Sequence, residues 1–278
     1  MTEKGNGFIT YIDILESLDA TRPQAPRDIC ESRRRENVIR IQCRMLVECD
    51  LIERITHELF LLSDRGIAFL NDDLELPIMD GDIDVEQVRQ SLLWSDSQEW
   101  ISDLSKMDAE TMKQFNYERF LDANDDYGLV DHSREKTKRR IWNVKDFELH
   151  RVIDEFPIHE PLVQQCGHWV RAICGKHFFP DANHRTAMAS LNALLRRNSI
   201  QVPQQWPGRE IGRTVLKSKF IRNFVVDVRF DNLWKRDELY WLWHRHFRNL
   251  FYDISEVHHH HVSTDYLRKA LENARNTK

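Results

Sequence analysis

The stretch HFFPDANHRTA, residues 177–187, decides how the second half of this chain folds. Residues 162–174 before it carry apolar side chains at helical spacing, and residues 187–195 after it repeat that pattern. The sequence therefore predicts two helices joined by a short loop. The N-terminus of the second helix offers backbone N–H groups without intrahelical acceptors and a positive dipole end, so this loop leads into an anion site.

Four side chains of the loop add chemistry to that anion site. Arg185 supplies a permanent positive charge suited to a phosphate, and Asp181 supplies a hard oxygen suited to Mg²⁺. His177 can exchange protons near neutral pH, and the amide of Asn183 can bind either kind of partner. Helix caps and a structural histidine would explain these residues one at a time. Their joint occurrence favours phosphoryl or nucleotidyl transfer, in which positioning and charge neutralisation dominate.

At these residues the chain resembles the Fic/Doc (Fido) family, whose motif is His-x-Phe-x-Asp/Glu-Gly/Ala-Asn-x-Arg. The resemblance covers about residues 150–202, and the continuation RTAMASLNALLRRNSIQV is similar to the Doc branch in particular. The segment YGLVD, residues 127–131, weakly resembles a Gly-Leu-x-Asp segment of that branch. The positions that match the motif are His177, Phe179, Asp181, Ala182, Asn183 and Arg185.

The resemblance implies an all-helical Fido domain whose loop binds the phosphates of ATP, or of another nucleoside triphosphate, together with Mg²⁺. It implies that His177 is the general base for a Ser, Thr or Tyr hydroxyl of a target protein, and that Asp181 is the Mg²⁺ ligand. Phe179 would anchor the loop in the core. The phosphates would be held by Ala182, Asn183, His184 and Arg185.

Three positions depart from the usual Fic pattern. Phe178 stands where most members have proline, His184 where AMP-transferring members have glycine, and Met188 where those members have a second arginine. The Doc branch also lacks that glycine and that arginine, and it is associated with transfer of the terminal phosphate. The resemblance therefore leaves open whether AMP or phosphate is transferred.

The first quarter of the chain predicts a different module. Its pattern reads as helix, helix, basic helix, hairpin and helix, and this order resembles the winged helix-turn-helix family. Residues 21–44 contain seven arginines against three acids, although the chain as a whole has a net charge of −5. The resemblance implies that the basic helix can enter the major groove of DNA. The alternative is a solvated arginine face on a module that binds protein.

A helical wheel of the basic helix separates two faces. One face is predicted to be the core stripe, and it carries Val38, Ile41, Met45 and Cys49. The other face is predicted to contact DNA, and it carries Arg33, Asn37, Arg40 and Arg44.

Residues 71–87, NDDLELPIMDGDIDVEQ, are acidic, contain proline and glycine, and lack helical periodicity. They predict a boundary between a winged-helix domain at residues 1–75 and a Fido domain with C-terminal helices at residues 76–278. A short strand is expected at RRIWNV, residues 139–144. The fold class is thus mainly α.

The composition restricts the classes of protein to which this chain can belong. The chain has 278 residues, 41% of them hydrophobic and 31% charged, and no apolar run long enough for a transmembrane helix. Four of the five cysteines fall within apolar helical patterns, which indicates buried free thiols and a reducing cytoplasm.

Two functional hypotheses remain. The first is a transferase that moves AMP or phosphate to a target protein, with toxin-like activity and an antitoxin partner as one form of it. The second is a DNA-binding regulator whose Fido domain senses a nucleotide or a partner without turnover. The intact His177 favours the enzyme, because a sensor needs no base.

Overall fold

The computed structural model describes residues 9–29, 33–56, 58–93, 99–122, 134–252 and 263–276. For Arg33 and Arg34 it describes the backbone only. The segment YGLVD at residues 127–131 lies outside this part of the chain. The described residues form thirteen α-helices and two small antiparallel sheets, which confirms the mainly α prediction. The chain divides into two compact units, Met1–Trp94 with Ser255–Lys278, and Ser95–Ile254.

The first unit follows the predicted order of elements. Its elements are α1 (Tyr11–Ser17), α2 (Pro26–Ile29), α3 (Arg33–Glu48), β1 (Ile52–Arg54), β2 (Phe60–Leu62), α4 (Asp64–Leu70), β3 (Ile78–Met79), β4 (Asp82–Ile83) and α5 (Val85–Leu93). Strand β1 pairs with β2, and Gln24 forms an isolated bridge to Phe60 of β2.

Local capping explains where α4 begins. The Ser63 hydroxyl accepts a hydrogen bond from the N–H of Gly66 at 3.0 Å, and donates one to the carbonyl of Asp50 at 2.7 Å. A side chain at position 66 would place its Cβ 2.2 Å from the carbonyl oxygen of Leu51. Only glycine therefore allows α4 to approach the start of the hairpin this closely.

The core stripe predicted for α3 is right at Cys49, which is fully buried, and wrong at Val38 and Ile41. Val38 and Ile41 are 54% and 60% exposed, whereas Ile39, Cys43 and Leu46 are fully buried. Both sets have helical spacing, so the wheel alone could not choose between them. The choice is made by the apolar partners in the same core, which include Ile14 and Leu15 of α1 and Phe60 of β2.

The compact units divide the chain later than residue 75, where the sequence suggested a boundary. The hairpin β3–β4 turns at Asp80 and Gly81, both with positive φ, and it leads into α5. Ile83 and Val88 are buried in the core of the first unit. These contacts explain why residues 76–93 belong to that unit and not to the second.

The second unit contains α6 (Ala109–Leu121), α7 (Arg134–Trp142), α8 (Asp146–Asp154), α9 (Leu162–Lys176), α10 (Asn183–Arg197), α11 (Ile211–Phe224) and α12 (Glu238–Phe251). The last helix, α13 (Thr264–Asn276), groups with the first unit. The strand expected at residues 139–144 is wrong, because α7 continues through Trp142 and buries Thr137 and Ile141 one turn apart.

Helix α9 is the central element of the second unit. Its residues 162–174 are all buried, and α9 packs against both α10 and α12. Arg171 is fully buried, where its guanidinium donates to the Asp237 carboxylate at 2.9 and 2.5 Å and to the carbonyl of Leu233 at 2.5 Å. Asp237 also caps α12, so one ion pair joins α9 to the start of α12. The end of α9 that carries the motif is therefore held firmly.

None of the helices in the described ranges has the length and apolar character needed to cross a membrane.

Candidate functional site

The motif loop connects α9 to α10 and is bounded by two residues with left-handed backbones. His177 ends α9 with φ 57° and ψ 57°, and its N–H donates to the carbonyl of Ile173 at 3.1 Å. Ala182 precedes α10 with φ 59° and ψ 15°. Residues other than glycine adopt this conformation at a cost of about 1–2 kcal/mol each, so the surrounding contacts must hold them there.

Asn183 supplies one of these contacts. Its side-chain amide donates to the carbonyl of Phe179 at 2.8 Å and accepts from the N–H of Phe179 at 3.0 Å. Asn183 is only 3% exposed, and Phe179 is buried as predicted. Both polar atoms of the Asn183 side chain are thus used to close the loop. The predicted phosphate contact would have to come from the second N–H of the Asn183 amide, because the first is used within the loop.

Asn116 of α6 supplies a second contact, which the sequence did not reveal. Its Nδ2 donates to the carbonyl of Asp181 and to the hydroxyl of Thr186, both at 2.8 Å, and the residue is fully buried. The pair of bonds ties the loop to the first turns of α10. No local signal could have found Asn116, because it lies 65 residues before Asp181 in the chain.

Asp181 and Arg185 lie together at the start of α10, as predicted. The Arg185 guanidinium is 3.9 Å from Oδ1 of Asp181, and their side chains are 40% and 22% exposed. An ion pair this long and this exposed contributes little, so both groups can exchange partners at small cost. Oδ1 of Asp181 also accepts from the N–H of Ala182 at 2.5 Å, which occupies one of the N–H groups assigned to phosphate.

These residues fit only one kind of Mg²⁺ site, in which the protein supplies a single carboxylate. The described residues include no group of three His, Cys, Asp or Glu side chains that could hold a metal by themselves. Mg²⁺ commonly takes one or two carboxylates and completes its octahedron with water and substrate phosphates. Asp181 can serve as the single carboxylate of such a site.

The ring of His184 contacts α11 and α12. Its Nε2 lies 2.9 Å from the hydroxyl of Ser218 on α11, and its ring packs near Trp243 of α12. Burial, followed by the charge of Lys219, lowers the pKa of His184 to about 3. Only the backbone N–H of His184, in the first turn of α10, is placed for the predicted role.

His177 lies beside a depression of about 530 Å³. Burial lowers its pKa to about 4, and the charges of Arg222 and Lys219 act in the same direction. Much of the surface of His177 is nevertheless exposed, which places the residue at an open edge of a crowded region. The imidazole is therefore neutral near pH 7 and can accept a proton from a group that enters the depression.

Two cations near His177 come from α11 and were missed by sequence reasoning. Arg222 lines the depression, and Lys219 lies one turn earlier on the same helix. Nothing in their local sequence distinguishes them from other basic residues of a helix. Only the fold brings them next to the motif loop.

The residues predicted to bind DNA are only partly on one open face. The side chain of Arg33 lies outside what the structure describes. Arg40 is paired with Glu36 at 2.8 Å and with Glu58 at 3.2 Å. Asn37 and Arg44 are exposed, and they share the solvent side of α3 with the apolar Val38 and Ile41.

No family model, no curated protein and no solved structure matches this chain. Function must therefore be inferred from the motif and from the geometry around it.

Proposed function

We propose that this chain is a Fido-type transferase that moves AMP or phosphate from a nucleoside triphosphate to a hydroxyl of a target protein. The observation that carries this proposal is the loop at residues 177–182. It joins a neutral, accessible histidine at the end of α9 to an aspartate and an arginine at the start of α10. The base thus stands four residues before a carboxylate that lies beside a cation at a helix N-terminus.

Each residue then has a separate task. His177 accepts the proton as the target hydroxyl oxygen attacks phosphorus, and pyrophosphate or the nucleoside diphosphate leaves. Arg185 and the backbone N–H groups in the first turn of α10 hold the phosphates. A Mg²⁺ ion held by Asp181 would neutralise phosphate charge. Asn116 and Asn183 act through the loop and keep its backbone in place.

ATP labelled separately at the α and γ phosphates tests this proposal. With Mg²⁺ and lysate, one label should appear on a protein in the presence of the wild-type chain. His177→Ala should abolish labelling while nucleotide affinity stays within about twofold, because the base acts on the hydroxyl and not on the nucleotide. His150→Ala, which changes an exposed histidine of α8, is the matched control and should label normally. A His177→Ala variant that retains most of the transfer rate would remove the base assignment.

The second candidate function is a regulator that binds nucleotide without turnover. Its ground is the buried Met188 of α10, which occupies the position of the second arginine of AMP-transferring members and so removes one phosphate contact needed for AMP transfer. Nucleotide binding without transfer of either label would support it.

For the first unit we propose a winged-helix module. The bridge from Gln24 to Phe60 supports this, because it adds a third segment beside the hairpin. Glu36 and Glu58 offset the charge of Arg40, so in this proposal Arg40 contributes little to DNA binding. The exposed Val38 and Ile41 favour the alternative, a surface for a protein partner such as an antitoxin.

We also propose that the protein works in the cytoplasm, where its four buried cysteines would stay reduced.

A further inference from the structure

Among the residues that line the depression beside His177, none belongs to α10. The depression is bounded on one side by the end of α9 and by α11, through Lys176 and Arg222, and on the other by residues 226–230. Its volume of about 530 Å³ is in the range of small-molecule sites. The space next to the proposed base therefore has walls that the motif does not supply.

The walls of the depression are net positive. Three cations, Lys176, Arg222 and Arg229, face a single carboxylate, Asp227. His177 itself is neutral near pH 7, so it adds no charge. A concave surface of one sign attracts ligands of the opposite sign.

Arg222 and Arg229 differ in their surroundings. Arg229 is 70% exposed and donates to the carboxylate of Asp227 at 2.7 Å. Arg222 is half-buried on α11. The pKa of His177 is lowered first by burial of the imidazole and next by the charge of Arg222. The pKa of His184 is lowered by burial first, and the charges of Lys219 and Arg222 add to the effect. A half-buried cation is screened less by water and salt, so it binds an anion more strongly than an exposed one.

We propose that Arg222 is a phosphate-binding residue, and that the triphosphate lies in the depression beside His177 as well as at the start of α10. This inference rests on the proposed function for the identity of the ligand. A guanidinium can donate two parallel hydrogen bonds to phosphate oxygens, which would orient the chain of phosphates next to the base. The triphosphate would then be held from two helices, by Arg185 of α10 and by Arg222 of α11.

Calorimetry with the full chain tests the inference without any target protein. The ligands are ATP and inorganic tripolyphosphate, each with Mg²⁺. Arg222→Gln should weaken both by about tenfold, the effect of losing one charge-assisted hydrogen bond. Arg229→Gln is the matched control, since it removes the same charge from the same depression, and it should stay within about twofold. Circular dichroism establishes that each variant is folded.

Arg222→Lys decides the matter if Arg222→Gln does not fold. It keeps the charge but loses the forked geometry, so a loss of about threefold is expected. Unchanged affinity for both ligands in the folded Arg222 variants would overturn the inference, as would equal losses in Arg222→Gln and Arg229→Gln. A wild-type chain that binds neither ligand would overturn it too.

The labelling assay separates this inference from the proposed function. Arg222-dependent binding by a chain that transfers no label would support the phosphate contact and defeat the transferase. Transfer of label by a chain whose affinity does not depend on Arg222 would leave the transferase standing and defeat the contact.

Discussion

Ala182 shows how a single backbone angle shapes the motif loop. Its φ of 59° is unfavourable for alanine by about 1–2 kcal/mol, whereas glycine adopts it freely. Glycine also gains more freedom in the unfolded chain, worth about 0.4–1 kcal/mol in the opposite direction. We therefore expect Ala182→Gly to raise the free energy of unfolding by about 0.5 kcal/mol, measured by urea titration.

Two controls accompany that substitution. Ala187→Gly, inside α10, should lower the free energy of unfolding by about 1 kcal/mol or more, because this alanine is helical and buried. Ala182→Val should also be destabilising, since a β-branched residue is strained at positive φ. Destabilisation of more than about 1 kcal/mol by Ala182→Gly would show that the alanine methyl group matters more than the backbone angle.

The effects of substituting Asp181 and Arg185 on triphosphate binding should differ in their dependence on Mg²⁺. Arg185→Ala should weaken triphosphate binding with and without Mg²⁺, because it removes a direct phosphate contact. Asp181→Ala should remove the increase in affinity that Mg²⁺ gives, because it removes the carboxylate ligand. Equal affinities for wild type and both variants in calorimetry would contradict the assignment of this site.

The sequence predicted only the local part of this site. The spacing of His177, Asp181 and Arg185 placed them in the loop and the first turn of the helix after it, and the structure does bring Asp181 and Arg185 together. The role of Asn183 could not be read, because its amide could bind the loop or a ligand equally well. Asn116 and Arg222 could not be found either, since they reach the loop from α6 and α11 through tertiary packing alone.

For helix α3, too, the sequence alone could not predict which residues are buried. Two apolar stripes occur on it, and the tertiary partners of the first unit bury only one. Ile39→Ala should lower the free energy of unfolding by about 2–4 kcal/mol, whereas Ile41→Ala should change it by less than about 0.5 kcal/mol. Urea unfolding of the two variants measures this difference directly. Similar losses in both would mean that Ile41 is covered in solution.

The exposed side of α3 leads to a prediction about the affinity of the chain for DNA. If Arg44 contacts a phosphate, the full chain should bind duplex DNA with an affinity that falls as salt rises. Arg44→Ala should then reduce the slope of log affinity against log salt by about one, since one fewer counterion is released. Arg196→Ala, on α10 of the second unit, is the control and should leave the slope unchanged. A folded chain without salt-dependent DNA binding would favour the protein-docking alternative.

For the second unit as a whole, buried histidines link stability to pH. Burial lowers the pKa of His168 and His244 to about 3 and that of His246 to about 4, with the charges of nearby arginines adding to the effect at His168 and His244. The unfolded chain takes up these protons near pH 6.5, well before the folded chain does. Stability is therefore complete above about pH 6.5 and falls as the pH drops toward about 4.

Urea unfolding at pH 8, 7, 6 and 5 measures this dependence. Each histidine that takes up its proton only on unfolding contributes a slope of up to about 1.4 kcal/mol per pH unit. His244→Phe keeps a ring at this position and should flatten the profile below pH 6.5. A free energy of unfolding that is the same at pH 7 and pH 5 would contradict the buried, neutral state of these histidines.

The buried cysteines of each unit have a practical consequence. Cys43 and Cys49 lie in the core of the first unit, and Cys166 and Cys174 lie in the core of the second. Burial raises the pKa of Cys43 and Cys49 to about 12, and it raises those of Cys166 and Cys174 as well. Alkylating reagents attack the exposed thiolate, so each pair can react only while its own core is open. In a Cys30→Ser background, the alkylation rates of the two pairs would therefore report how often the core of each unit opens, one rate for each unit.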